Sequence, residues 1–292
     1  QGIELPSLNL GETKNHGLEF DVSWNDMIGK GFNYFIKFNF STSENRIVFK
    51  DDPYKLDEYL KAAGKPIGYQ NKYLVVGNLG SIDDIFNYTT SGINNGMQNT
   101  LVPGDLVYMD YNADGVIDSK DQVPMEHVNY PLTTYSLTLG FNYKGFGFNA
   151  QFYAAADVYK ERITNLLWDF PGMIVKAQPN TLDRWTIEDI YATDVVRPSV
   201  HLTNNYNSVQ STYTYTDHSY IRLKNVELNY ALPKKMIKKV GLTKCQIYVN
   251  GNNLFTISGI DNRRDPETSS ESVYPIVRRF NVGARMLSLI HI

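Results

Sequence analysis

In the stretch GDLVYMDYNADGVIDSKDQVP, residues 104–124, oxygen-bearing side chains recur at alternate positions. Asp110, Asn112 and Asp114 come first, Gly115 follows, Val116 can offer its carbonyl, and Asp118 and Asp121 complete the series. A loop of about twelve positions with this spacing wraps hard oxygen donors around a calcium ion, and its glycine allows the positive-φ bend between the two halves. The spacing therefore predicts a structural Ca2+ site on Asp110, Asn112, Asp114, Val116, Asp118 and Asp121, with Ile117 anchoring the loop by packing. One position departs from the pattern. Asp121 stands where a longer glutamate ordinarily reaches round to bind with both oxygens, so a lower affinity or a water in the gap is expected. The alternative is an Asx-rich turn held by its own side-chain-to-backbone hydrogen bonds. On either reading the role is structural, because a filled calcium shell leaves no open position for catalysis.

Other chemistry is sparse. The histidines at 16, 127, 201, 218 and 291 show no pair at metal-ligand spacing, and no Gly-X-Ser-X-Gly or phosphate-cradling glycine loop occurs. No enzyme is expected. Trp168, Trp185, Tyr213 and Tyr215 are candidates for stacking on sugar rings, with packing of their own loop as the plainer use; Tyr206 belongs to the same aromatic-rich stretch. Arg263, Arg264 and Asp265 form a charge cluster read as a solvated face or local ion pairs, and the single cysteine, Cys245, as a small packing residue.

Composition narrows the classes further. The 292 residues carry 28 Lys and Arg against 31 Asp and Glu, a net charge of −3, which excludes a nucleic-acid protein driven by bulk electrostatics. No apolar run approaches the roughly 20 residues of a membrane-spanning helix. A β-barrel remains open at a mean hydropathy of −0.35, since only alternate residues of its strands meet lipid.

Alternation is the dominant periodic signal. Leu18, Phe20, Val22 and Trp24 share one face of GLEFDVSWN, and Tyr34, Ile36, Phe38 and Phe40 one face of NYFIKFNFS, with a hairpin turn between them. Tyr135 to Tyr143 and Phe146 to Phe152 form a second hairpin through Lys144-Gly145. Three more strands centre on Val226–Tyr230, Ile247–Gly251 and Phe280–Met286. PKKMIKKVG, residues 233–241, is bracketed by Pro and Gly as a short helix with Met236, Ile237 and Val240 on one side. The connections alternate between short ones and long ones of about ninety, sixty and twenty residues, the asymmetry of transmembrane barrels with tight turns inside and long loops outside. The fold class expected is all-β: seven or so antiparallel strands of a larger transmembrane β-barrel with long extracellular loops, the first at 43–132 carrying the calcium-type stretch 110–121. A secreted all-β calcium-dependent carbohydrate-binding module or adhesin is the alternative.

The motifs NLGETKNHGLEF (9–20), GDLVYMDYNADGVIDSKDQ (104–122), YIRLKNVELNYALP (220–233), IYVNGNNLFTISG (247–259) and YPIVRRFNVGARM (274–286) occur in this order. In them the chain resembles the SusC/RagA family of TonB-dependent outer-membrane transporters of Bacteroidetes. The resemblance implies the C-terminal part, residues 1–286, of a barrel of about twenty-two strands. It implies import of glycans or peptides, a SusD-like surface lipoprotein as lid, contact with TonB through an N-terminal region beyond this sequence, and an outer-membrane location among lipid. The closing LSLIHI, residues 287–292, resembles a translated transposon-end sequencing adaptor and is expected to be an assembly artefact, His291 included. An independent clone read across that junction checks this; the same six codons in genomic context would refute it.

Overall fold

The computed structural model describes residues 10–54, 56–88, 90–91, 101–161, 182–189, 197–201, 206–260, 264–268, 274 and 276–288. Among the described residues seven long strands are present: β1 (Glu12–Ile28), β2 (Phe32–Phe49), β3 (Thr133–Tyr143), β4 (Phe146–Ala156), β5 (Tyr220–Ala231), β6 (Leu242–Ser258) and β7 (Arg279–Ser288). They line up in sequence order in one antiparallel meander. Each strand extends beyond the core of its alternating pattern; β6 begins at Leu242 and β7 runs on through Leu287 and Ser288. Residues 289–292, the rest of the suspected adaptor, lie outside the described residues.

Register turns the alternation of single strands into cross-strand rows. Tyr34, Phe141, Phe148, Leu228, Val249 and Val282 stand side by side across six strands. The next row, on the opposite face, reads Phe35, Gly140, Asn149, Glu227, Asn250 and Asn281. Strand side chains point to alternate faces, so one face of the sheet is apolar and the other polar. The apolar face is also uncovered: Leu228 and Val249 are 50% exposed and Val282 82%. Such a contiguous apolar surface is far more than a soluble monomer leaves to water.

The tight turns fix that register. Lys144 (φ 48°) and Gly145 (φ 90°) are both left-handed, the backbone of a two-residue turn whose twist matches its flanking strands. Aromatic rings gather at this end: Phe32 lies 5.4 Å from Phe141 and Phe146 4.5 Å from Tyr230. Between β5 and β6 the expected short helix forms at Lys234–Ile237, tightens into a 3-10 turn at Lys238–Val240 and stops at left-handed Gly241. Its three apolar residues do not share a buried side, however. Ile237 alone is buried, while Met236 and Val240 are 61% and 69% exposed, because the change from α to 3-10 geometry rotates Val240 away.

Gly140 serves close packing. A Cβ there would fall 2.5 Å from the Phe148 carbonyl oxygen and 2.6 Å from the Phe35 ring, which lies across the glycine on the polar face. Gly140→Val should therefore lower stability by about 1–3 kcal/mol, the range for overpacking. An unchanged urea midpoint of the folded protein in detergent would contradict this.

The chain forms two compact units. The sheet unit draws on Asn15–Glu44, Tyr130–Val158 and the chain from Asp217 on; the second is built mainly from the first two long connections, Asn45–Asn129 and Tyr159–Thr216. This loop unit has its own small pairings, Gln70–Tyr73 with Gln122–Met125 and Val75–Asn78 with Leu106–Tyr108. Its core contains Tyr73, Leu79, Leu101, Leu106, Tyr108, Ile117 and Tyr206. Three tyrosines satisfy one another there: Tyr206 Oη donates to Tyr88 Oη at 2.9 Å, Tyr88 Oη to the Tyr108 carbonyl at 3.2 Å, and Tyr108 Oη to the Tyr206 carbonyl at 2.9 Å. Burial pushes the Tyr108 and Tyr206 hydroxyls well above their ordinary range, so they act as neutral donors. Among the described residues no helix is long and apolar enough to cross a membrane.

Candidate functional site

The oxygen-rich loop is shaped by its own side chains. Asn112 Oδ1 accepts from the Asp114 N–H at 2.9 Å and Asp114 Oδ1 from the Val116 N–H at 3.0 Å, two successive Asx turns. Asp110 Oδ2 accepts from the Gly115 N–H at 2.9 Å, and left-handed Ala113 (φ 58°) and Gly115 (φ 85°) complete the bend. Asp118 caps the 3-10 turn Ser119–Asp121 in a reciprocal capping box with Asp121. Ile117, fully buried in the tyrosine-rich core, supplies the anchor its position implied.

Asp121 is the hub. Its side chain is fully buried, with Oδ1 accepting from the N–H groups of Tyr111 (2.7 Å) and Asn112 (3.2 Å) and Oδ2 from that of Asp118 (2.8 Å). The shorter aspartate thus pulls both ends of the loop onto its carboxylate. Asp110 Oδ1 is buried without a hydrogen-bond partner, an acceptor whose desolvation nothing offsets. Lys120 Nζ lies 3.7 Å from Asp114 Oδ2 and 4.0 Å from Asp118 Oδ2, a cation beside the same carboxylates. The Val116 N–H bond, then the Asn112 amide, hold the Asp114 carboxyl below the usual carboxylate range. Among the described residues no three His, Cys, Asp or Glu side chains converge as a ready metal set. The donors have the type and spacing that calcium takes, and Asp110 Oδ1 is the loop oxygen whose burial a cation would offset.

Tyr59 buttresses this loop. Its ring meets Tyr111 edge-on at 4.8 Å and its hydroxyl donates to the Lys120 carbonyl. Trp168 lies outside the described residues. Trp185 is 8% exposed, its ring against Gly104, where a Cβ would come within 2.4 Å. Tyr215 is buried and donates to the His127 carbonyl at 2.7 Å, and Tyr213 packs on the loop-unit core. The structure brings neither Trp185 nor Tyr215 to an open face; both hold the loop unit together.

A buried polar node near Trp185 gave no signal in the sequence. Fully buried Asp105 accepts from Ser199 Oγ, from Asn207 Nδ2 at 2.8 Å and, through Oδ2, from the Val102 N–H at 2.9 Å, while His201 Nε2 sits 2.6 Å from Oδ1. The trio of Ser, His and Asp is not a catalytic relay. One imidazole nitrogen faces both Asp105 and, at 3.5 Å, Ser199, and the hydroxyl gives its proton to the carboxylate. The node joins segments far apart in the chain.

No family model matches the chain. The TonB-dependent receptor P3 of Formosa agariphila is 27% identical over 98% of this chain, and the TonB-dependent receptor SusC of Bacteroides thetaiotaomicron 23% identical over 94%. The chain spans 30% and 26% of these relatives. Among solved structures, the RagAB peptide transporter superposes with a TM-score of 0.70 at 17% identity, covering 95% of this chain and 30% of its own, a likeness of fold. The RagAB peptide importer in its closed-closed state gives 0.69 at 18%. The chain is similar in sequence to TonB-dependent receptors, SusC among them, and in fold to RagAB. The matched relatives are TonB-dependent receptors rather than enzymes.

The polar face of the sheet is a ladder of amides and paired charges. Asn225 Nδ2 donates to Gln151 Oε1 at 2.7 Å, Asn252 Nδ2 to Asn225 Oδ1, and Asn281 Nδ2 to Asn250 Oδ1 at 2.7 Å. Arg285 binds Glu227 through both terminal nitrogens, at 3.1 and 3.0 Å, and lies over the Tyr248 ring at 4.3 Å. Near the start of β5, paired on both sides in the sheet, Arg222 has a side chain only 1% exposed: Nη2 meets Asp265 Oδ1 at 2.7 Å, Nε donates to Thr256 Oγ1 at 2.9 Å, and Nη1 lies 3.3 Å from Glu267 Oε2. Asp265, read in the sequence as part of a charge cluster, is thus a buried-side partner for a strand arginine; Arg263 lies outside the described residues. By alternation alone Arg222 shares the side of Val226, Leu228 and Tyr230; the bulge between Leu223 and Asn225 turns it to the polar face, and no local pattern announces that bulge.

Proposed function

We propose that this chain forms wall and loops of an outer-membrane TonB-dependent importer of glycan oligosaccharides or peptides, working with a SusD-like surface lipoprotein and drawing on TonB through another part of the receptor. The carrying observation is the uncovered apolar row Tyr34–Phe141–Phe148–Leu228–Val249–Val282 backed by a row of amides and Glu227. A sheet with one face for acyl chains and one for a hydrated passage is what a transmembrane barrel wall requires. The relatives' TonB-dependent names and the likeness to RagAB, described as a peptide transporter, support the assignment.

On this reading the loop unit, built around its tyrosine core, serves contact with substrate or lid protein. Calcium bound by Asp110, Asn112, Asp114, the Val116 carbonyl and Asp118 would stiffen one edge of that unit, with Asp121 holding the loop closed. In cells carrying the complete receptor, uptake of fluorescent oligosaccharide and oligopeptide pools should fall at least tenfold when TonB is removed. Receptor-dependent uptake that persists without TonB would overturn the proposal.

A further inference from the structure

We propose that the lysine-rich edge formed by the short connections binds anionic phospholipid headgroups in the inner leaflet of the membrane that the barrel wall spans. This rests on the barrel reading, in which tight turns lie on the inner side. In a meander of consecutive antiparallel strands the connections 29–31, 144–145 and 232–241 all fall at one edge of the sheet. They carry Lys30, Lys144, Lys234, Lys235, Lys238 and Lys239, every one exposed, and Lys244 follows near the start of β6. None of the three contains an Asp or Glu, and Asp26 is the one acid within four residues of them in the sequence. β7 ends at the same edge, and residues 289–292 after it hold no acidic side chain either. The positive balance of this edge is therefore a property of the sequence that forms it.

Two observations favour a bilayer surface over an acidic protein. The first is the company of aromatic rings: Lys144 Nζ lies 5.0 Å from the centre of the Tyr143 ring, and Phe32, Phe146 and Tyr230 each stand within four residues of a lysine. Such rings mark the headgroup level of a barrel, so ammonium groups just beyond them reach the depth of the lipid phosphates. The second is the short helix Lys234–Ile237 with its 3-10 turn. It packs against β6 with Ile237 buried, while Met236 and Val240 stay 61% and 69% exposed among four lysines. At a bilayer surface both apolar side chains enter the acyl boundary, and the lysine stems carry their charges to the phosphates. β6 then runs from this helix into Val249 on the uncovered apolar face, so the edge continues the surface that meets lipid. Headgroups of net negative charge gain most from such an edge.

The complete receptor in nanodiscs of mixed phosphatidylethanolamine and phosphatidylglycerol provides the test. One lipid or the other carries a diazirine in its acyl chain, and adducts are mapped by mass spectrometry. At Met236 and Val240, phosphatidylglycerol should label at least about fivefold more than phosphatidylethanolamine at equal mole fraction, the attraction of a single lysine for an anionic surface. At Val249 and Val282, on the wall, the two lipids should label alike. Lys234→Gln, Lys235→Gln, Lys238→Gln and Lys239→Gln combined should bring the ratio at Met236 and Val240 to about twofold or less, and arginine at all four positions should preserve it. A ratio near one in the parent, a ratio that survives the glutamines or one that is lost with the arginines would overturn the lipid edge while leaving the barrel intact. So would Met236 and Val240 left unlabelled while Val249 and Val282 take label, which would give these lysines to water or to another protein. Absence of label at Val249 and Val282 would sink the barrel reading and the lipid edge with it.

Discussion

Replacing Arg222 with alanine is expected to cost about 3–5 kcal/mol, the range for breaking a buried ion pair from one side. The guanidinium is 1% exposed, whereas Asp265 and Glu267 are 12% and 24% exposed, so the arginine bears most of the desolvation; Nε and Nη2 are hydrogen-bonded, while Nη1 has the charge of Glu267 at 3.3 Å without a hydrogen bond. Removing it takes the guanidinium away from both carboxylates and leaves Glu267 the weaker contact with Lys224 at 3.9 Å. Tyr220 Oη donates to Glu267 Oε1 at 2.5 Å, so the aromatic pair Tyr220–Tyr153 should loosen as well. The segment 264–268 joins the face of β5 through these bonds, and Arg222→Ala should open it to protease and lower the unfolding midpoint of the complete receptor in detergent. Arg222→Met combined with Asp265→Asn and Glu267→Gln should recover at least half of the loss, since neutral partners carry little desolvation debt. If protection of 264–268 and the midpoint were the same in Arg222→Ala as in the parent, the clamp would be a surface contact of no consequence.

The sheet could be read in advance because its code is local. A period of two in GLEFDVSWN or TYSLTLGFNY states which face each residue takes, and Lys144-Gly145 states where the chain reverses. Strand ends were less legible: polar residues such as Glu12, Lys14 and Thr243 break the alternation yet still pair in the sheet. The calcium-type loop could be seen because its donors lie within a few residues of one another. The loop unit could not. Lys72, 1% exposed, finds Glu161 at 2.5 Å and Gln210 at 3.2 Å across 89 and 138 residues, and Asp105 finds Asn207 across 102. Pairings at such separations leave no periodic trace; Trp185, Tyr206 and Tyr215 are buried among such contacts, and Tyr213 packs against the core.

Calcium should bind the loop at Asp110–Asp121 of the complete receptor, and Asp110→Asn should weaken it about a hundredfold, equivalent to about 2.8 kcal/mol. The argument starts from Asp110 Oδ1, buried without a donor: a divalent cation offsets a cost the metal-free loop bears, and an amide oxygen with half the donor charge would do so poorly. Lys120→Gln should act in the opposite direction. Its ammonium, 57% exposed, sits beside Asp114 and Asp118 and competes for their charge, so removing it should tighten binding about two- to fivefold, the worth of an exposed ion pair. Asp121→Asn would behave differently again, because three backbone N–H groups lean on that carboxylate and the loop should loosen with or without metal. Terbium, which takes calcium's place among oxygen donors, offers the readout: Tyr111 lies within the loop and Tyr59 4.8 Å from it, so tyrosine-sensitised luminescence should appear on binding and be displaced by calcium. Luminescence equal in the parent and in Asp110→Asn, or none displaced by millimolar calcium, would leave an Asx-rich turn that needs no ion.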